Sequence, residues 1–265
     1  MRWVVSLFFI LCLAACEPRS ATPPPLPTLA SFDSAATALH ITQNAPPEGF
    51  STVSFPRIDQ TLTRLAGWRY DASFVFEGTY ARTTRPVAAH AEIRAWYDQV
   101  GSARRVQVTL ETDLAPETPA IRYEGAQLGP DTFLVRDGQC ERATTPEEQA
   151  AVELSVGDLL GGVQTANSLG EKAILNNAQV WRYDLMSEAI VLPSVTRSAE
   201  SLFSNLRGEL WVAPDANTVM RYYMTLDVES VTLFASPLPV TGTLTLQYDL
   251  YDVSIVPNIS VPFGC

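Results

Sequence analysis

From Trp68 onward, apolar and polar side chains alternate with a period of two, the repeat of a strand with one face in a core and one in water. Trp68, Tyr70, Ala72, Phe74, Phe76 and Tyr80 fall on one parity, against Arg69, Asp71, Ser73 and Glu77 on the other, with an interruption near Gly78 that reads as a bulge or bend. Further alternating segments follow at Ala91–Tyr97 and at Ala103–Leu110, where Val106, Val108 and Leu110 oppose Arg105, Gln107 and Thr109. Short strands are expected at Ile121–Tyr123 and Thr132–Arg136, the latter turning at Asp137-Gly138 into Gln139–Arg142. Strands resume at Ala178–Leu185, Arg207–Val212, Thr218–Val228 and Gly242–Val256. A first strand is placed around Phe50 to Phe55.

Between these two blocks the texture becomes helical. Thr145-Pro146-Glu147-Glu148 has a cap, a proline at the first position and acids in the first turn. Ser155–Asn167 is expected to form a second short helix with Val156, Leu159, Leu160 and Val163 inward, weakened by Gly161-Gly162. The fold class is therefore mainly β (α+β): one large antiparallel sheet, covered on one side by two or three short helices.

The N-terminus adds an address. MRWVVSLFFILCLAAC has a charged start at Arg2 and an apolar run too short to span a bilayer, ending in Leu13-Ala14-Ala15-Cys16. This resembles the lipobox of bacterial lipoproteins, in which the cysteine is diacylated and the preceding residues are removed. Residues 1–15 are accordingly expected to be a signal peptide and Cys16 the lipidated N-terminus, anchoring the protein outside the cytoplasm. Residues 16–31, rich in proline and small polar residues, read as a tether reaching up to about 45 Å at ~3.1 Å per residue. Residues 32–265 are expected to form a single domain.

Composition narrows the partners. Without the signal, 17 basic residues face 29 acidic ones, a net charge of −12 that disfavours nucleic acid and anionic headgroups. Cys12 leaves with the signal and Cys16 carries lipid, so Cys140 and Cys265 remain, most simply as a disulfide. No nucleophile elbow, HExxH motif or phosphate loop occurs, and His40 and His90 are isolated. Asn258-Ile259-Ser260 matches a glycosylation sequon but carries no weight in a bacterial lipoprotein. The expectation is a monomeric, non-catalytic protein with no metal and no cofactor.

In order and texture the chain resembles the half-barrel lipid-binding bacterial lipoproteins, the superfamily of lipoprotein-localisation carriers and mycobacterial glycolipid-carrier lipoproteins. The likeness rests on the lipobox and tether before long strands, on FLVRDGQCER leading into small helices, on NNAQVWRYDL, and on GELWVAPDANTVMRYYMTLDV; it spans roughly 50–256. It implies an open half-barrel whose concave face receives a hydrophobic ligand: an acyl chain, lipid or glycolipid. The inward apolar candidates for that face are Phe74, Phe76, Tyr80, Val106, Val108, Leu110, Trp181, Tyr183, Met220, Tyr222, Met224, Leu226, Leu244 and Leu246. The competing expectation is a scaffold lipoprotein with a filled core that acts on an unidentified protein partner through its outer surface; a third, weaker one is a hydrolase with an unfamiliar site.

Overall fold

The computed structural model describes residues 42–43, 45–114, 120–234 and 236–265. The signal, Cys16, the tether and His40 lie outside the described residues.

The first half of the domain is a run of strands: β1 (Thr42–Gln43), β2 (Thr52–Phe55), β3 (Gly67–Tyr80), β4 (Pro86–Asp98), β5 (Ala103–Thr112), β6 (Ala120–Leu128), β7 (Asp131–Arg136) and β8 (Gln139–Arg142). Two helices follow, α1 (Pro146–Val152) and α2 (Val156–Leu160). The second half comprises β9 (Gly162–Leu175), β10 (Ala178–Tyr183), β11 (Ile190–Val191), β12 (Val195–Thr196), β13 (Leu202–Ala213), β14 (Thr218–Leu233) and β15 (Val240–Tyr251).

The strands hydrogen-bond in the order β1-β9-β10-β13-β14-β15-β3-β4-β5-β6-β7-β8, every neighbouring pair antiparallel. β2 and β11 add to β9, and β12 adds to β14. The result is an open half-barrel with β1 and β8 at its edges. Its seam is the pairing of β15 with β3, which joins the two ends of the domain in an unbroken register from Val240↔Tyr80 to Tyr251↔Arg69.

The helices sit on the face that carries the apolar parity. α1 starts on a capping box: Thr145 Oγ1 accepts from the Glu148 N–H at 3.3 Å, and Glu148 accepts in return from the Thr145 N–H at 3.1 Å. It packs over β5–β7 with Val152 fully buried. Gly125 in β6 makes this approach possible, since a Cβ there would lie 2.6 Å from Val152 Cγ2 and 3.1 Å from Val106 Cγ1.

The expected helix over 155–167 is corrected. It stops at Leu160, and Gly162 already begins β9. The paired glycines form a breakpoint: Gly161 has φ of +70°, and a Cβ on it would lie 1.9 Å from the Val191 carbonyl oxygen. A Cβ on Gly162 would lie 2.0 Å from the Phe55 carbonyl oxygen. Two flanking backbones need that space, so the chain turns from helix to strand there. Gly78 is likewise no bulge, because the β3–β4 and β3–β15 ladders run through it without a shift of register. It faces Gly242 across the seam.

After Tyr251, earlier than the expected Val256, the chain leaves the sheet. Ser254 N–H donates to the Gly67 carbonyl at 2.8 Å, and the tail ends in a Cys140–Cys265 disulfide with Cα atoms 5.2 Å apart. The C-terminus is thus stapled to edge strand β8.

Candidate functional site

Strand register sorts the inward side chains into rows that cross the half-barrel. One row reads Tyr183, Leu210, Tyr222, Tyr248, Ala72, Ile93, Val108, Tyr123. The next reads Gly208, Met224, Leu246, Phe74, Ala91, Leu110, Ile121. A third carries Leu226, Leu244, Phe76, Ala89 and Thr112.

Along each row the cover changes. From β10 to β4 the side chains are closed off: Phe74, Phe76, Met220, Tyr222, Met224, Leu226, Leu244 and Leu246 are fully buried, as are, within a few per cent, Trp181 and Tyr183; Val106 in β5, next to Val152 of α1, is fully buried too. From β5 to β6 the same rows open. Val108, Leu110 and Tyr123 are half-buried, and Ile121 is 36% exposed. Of the sequence candidates, then, Tyr80, Val108 and Leu110 keep accessible surface, and the other eleven pack into the core.

Two lids bound this open strip. On one side the Phe234 ring lies 4.7 Å from that of Phe74. On the other, α1 covers Val106 and Gly125, and the Tyr123 hydroxyl donates to the Ala151 carbonyl at 3.0 Å. The floor between them is shallow-sided because β4 supplies only Ala89 and Ala91. Tyr80, half-buried nearby, donates to the Asp113 carbonyl at 3.1 Å. Ile121 and Tyr123 are members of the strip that sequence reasoning left out of the candidate set. The signal for Ile121 was weak, since the segment read as a strand there, Ile121–Tyr123, is only three residues long.

The outer face holds a different chemistry. Arg221 Nε donates to Asp249 Oδ1 at 2.8 Å, its Nη1 donates to Glu209 Oε1 at 3.4 Å, and the Trp211 indole N–H donates to Glu209 Oε2 at 3.0 Å. Tyr223 donates to the other Asp249 oxygen. Burial raises the Asp249 carboxyl above the ordinary carboxylate value, and its bonds to Tyr223 and Arg221 oppose that. This cluster satisfies itself, and it has no nucleophile next to a base. His90 is a surface residue 3.4 Å from Glu92. Among the described residues no group of His, Cys, Asp and Glu is placed to hold a metal. Recesses elsewhere are open and of mixed polarity, among them one of about 400 Å³ beside Arg82, Arg197 and Glu200 and one of about 520 Å³ beside Arg64, Asn176 and Asp252.

No protein-family model and no curated protein matches this chain. Solved structures do. LprF from Mycobacterium bovis is 12% identical with a TM-score of 0.35, over 78% of this chain and 93% of that one. Lipoprotein LppX from Mycobacterium tuberculosis is 12% identical with a TM-score of 0.32, over 77% and 94%. A LolA superfamily protein from Nitrosomonas europaea is 8% identical with a TM-score of 0.23, over 78% and 96%. The chain is therefore similar in structure, over most of its length and at low TM-score, to LprF, LppX and LolA superfamily lipoproteins.

Proposed function

We propose that this protein is a lipid-anchored carrier that receives an acyl chain, lipid or glycolipid on the concave face of its half-barrel and does no covalent chemistry. The observation that carries the reading is the change of cover along the inward rows: a continuous apolar face, sealed from β10 to β4 and open at Val108, Leu110, Ile121 and Tyr123. Such a strip, continuous with a core of methionines and aromatics, offers a hydrocarbon chain a place to begin and side chains that repack as it advances. Each methylene removed from water contributes about 0.8 kcal/mol. A long acyl chain therefore offsets the displacement of several lid contacts.

Anchoring follows the same logic. Cys16 is the lipidated residue, residues 1–15 are the signal, and 16–31 is the tether, so the domain works at a membrane surface outside the cytoplasm, where the Cys140–Cys265 disulfide is stable. The end of the sheet that holds Gly67 and Asn176 carries the exposed Val100, Ile255 and Val256 on its turns and tail.

The test is native mass spectrometry of the full chain carrying Cys16→Ser, with uptake of a fluorescent fatty acid as a second readout. Co-purifying or added lipid bound one to one is expected, and Leu110→Asp should reduce uptake about tenfold or more while leaving the circular dichroism spectrum unchanged. Cys16→Ser protein, otherwise unaltered, that binds no lipid by either readout would refute the carrier reading. A scaffold lipoprotein is the second reading, favoured by the close packing of eleven of the fourteen inward candidates. Mass spectrometry of the mature N-terminus checks the anchor: an unmodified terminus at another residue ends that part of the proposal.

A further inference from the structure

Beneath α2, the concave face holds polar atoms that have no hydrogen-bond partner among the described residues. The Tyr70 and Tyr248 hydroxyls are completely buried and unbonded, with their rings 5.5 Å apart. Asp59 Oδ1 and Arg104 Nε are buried and unbonded as well. These four atoms belong to one locus. The Tyr70 hydroxyl lies beside the Arg104 guanidinium and the Val156 backbone without closing a well-formed hydrogen bond to either. Asp59 Oδ1 lies against the next residue, Gly157, whose Cβ would fall 2.2 Å from it. Both tyrosine hydroxyls feel the Asp59 charge.

The carboxylate and the guanidinium are held by their other atoms: Ser155 Oγ donates to Asp59 Oδ2 at 2.5 Å, and Arg104 Nη2 donates to the Leu154 carbonyl. Asp59 Oδ1 has the half-exposed Arg57 beside it, its Nε 3.6 Å away and beyond hydrogen-bonding distance.

A buried polar atom left unpaired destabilises the fold, so four in one place call for a guest. Its chemistry follows from the donors and acceptor that surround it. Two hydroxyls and an N–H need an acceptor, and the carboxylate oxygen needs a donor. A carboxylate or phosphate guest would face Asp59, an ammonium would face Arg104, and a methylene would satisfy nothing. A neutral hydroxyl accepts from up to two donors and donates one proton, so it satisfies up to three of the four at once.

We propose that Asp59, Tyr70, Arg104 and Tyr248 form a buried binding site for one neutral hydroxyl group, supplied by a water molecule or by the alcohol of a bound lipid. The lipid source rests on the carrier reading; the site itself does not. Two measurements on the full chain carrying Cys16→Ser test it. A high-resolution crystal structure, free and with 1-monopalmitoylglycerol, should show an oxygen within hydrogen-bonding distance of at least two of the four atoms. The same four atoms closed directly on one another, with no oxygen between them, would overturn the site. Competition between 1-monopalmitoylglycerol and palmitic acid then identifies the source. A preference for the glyceride of about tenfold or more that Tyr70→Phe/Tyr248→Phe abolishes assigns the hydroxyl to the lipid. An ordered oxygen with no such preference assigns it to water. Failure to bind either lipid removes the carrier reading, and the crystal structure alone then decides the site.

Discussion

Replacing Gly78 by alanine tests the account of the β3–β15 seam. Gly78 faces Gly242, and each is paired on its other side, to Val87 in β4 and Val228 in β14. A Cβ on Gly78 would lie 2.2 Å from the Thr241 carbonyl oxygen, 2.8 Å from the Gly242 Cα and 2.9 Å from Phe76 Cζ. The first two atoms are backbone in the middle of a continuous sheet, so no rotamer change relieves them and the strands must part. Overpacking of this kind costs about 1–3 kcal/mol. Alanine returns roughly 0.5–1 kcal/mol through a less disordered unfolded chain. The net loss is about 0.5–2 kcal/mol, or a fall in Tm of about 1–8 °C for a domain of this size. Thermal unfolding followed by circular dichroism measures it, with urea unfolding to confirm that the midpoint moves while the slope does not. Gly242→Ala should behave alike, and the double variant should lose less than the sum, because one separation accommodates both methyls. A Gly78→Ala protein as stable as wild type would refute the reasoning.

Three further outcomes are expected. Reducing the Cys140–Cys265 bond, which spans 125 residues, should destabilise the domain by up to about 5 kcal/mol in the chain-entropy picture, read as a lower urea midpoint in the presence of reductant. Thr145→Ala removes the Oγ1 that accepts from Glu148 and should cost about 1 kcal/mol, whereas Thr145→Ser should cost little. Burial raises the phenols of Tyr70, Tyr222 and Tyr248 well above their ordinary value and pushes that of Tyr183 up to about 12. Between pH 10 and those raised values the unfolded chain loses phenolic protons that the folded chain keeps, so stability present below pH 10 falls as pH rises. Titration of phenolate absorbance should accordingly show these tyrosines ionising only as the protein unfolds, and a smooth titration of all tyrosines near pH 10 in folded protein would contradict their burial.

Much of the candidate site could be read from residue order because strand parity is a local property. Once Trp68, Tyr70, Phe74 and Phe76 share a face, a single hairpin register places the inward residues of β4 and β5 beside them, and Val106, Val108 and Leu110 follow. The capping box of α1 and the Asp137-Gly138 turn are local as well. The misread stretch at 155–167 failed for the opposite reason. Val156, Leu159, Leu160 and Val163 fit a helical period, but whether Gly161-Gly162 bends a helix or ends one depends on the carbonyls of Phe55 and Val191, which are distant in the chain.

By itself, the sequence determined most of the long strands, their buried faces and the cysteines left to pair, and it carries the expectation of a signal and a lipidated Cys16, all from short-range pattern and chemistry. Only the tertiary structure decided how far the concave face is covered. Parity assigns Phe74 and Leu110 to the same face, but exposure depends on what packs above each, and here Phe234 covers Phe74 while Leu110 stays half-open. The convergence of Asp59, Arg104, Tyr70 and Tyr248 was likewise beyond any local pattern, because it needs α2, the chain before β3 and three separate strands to meet.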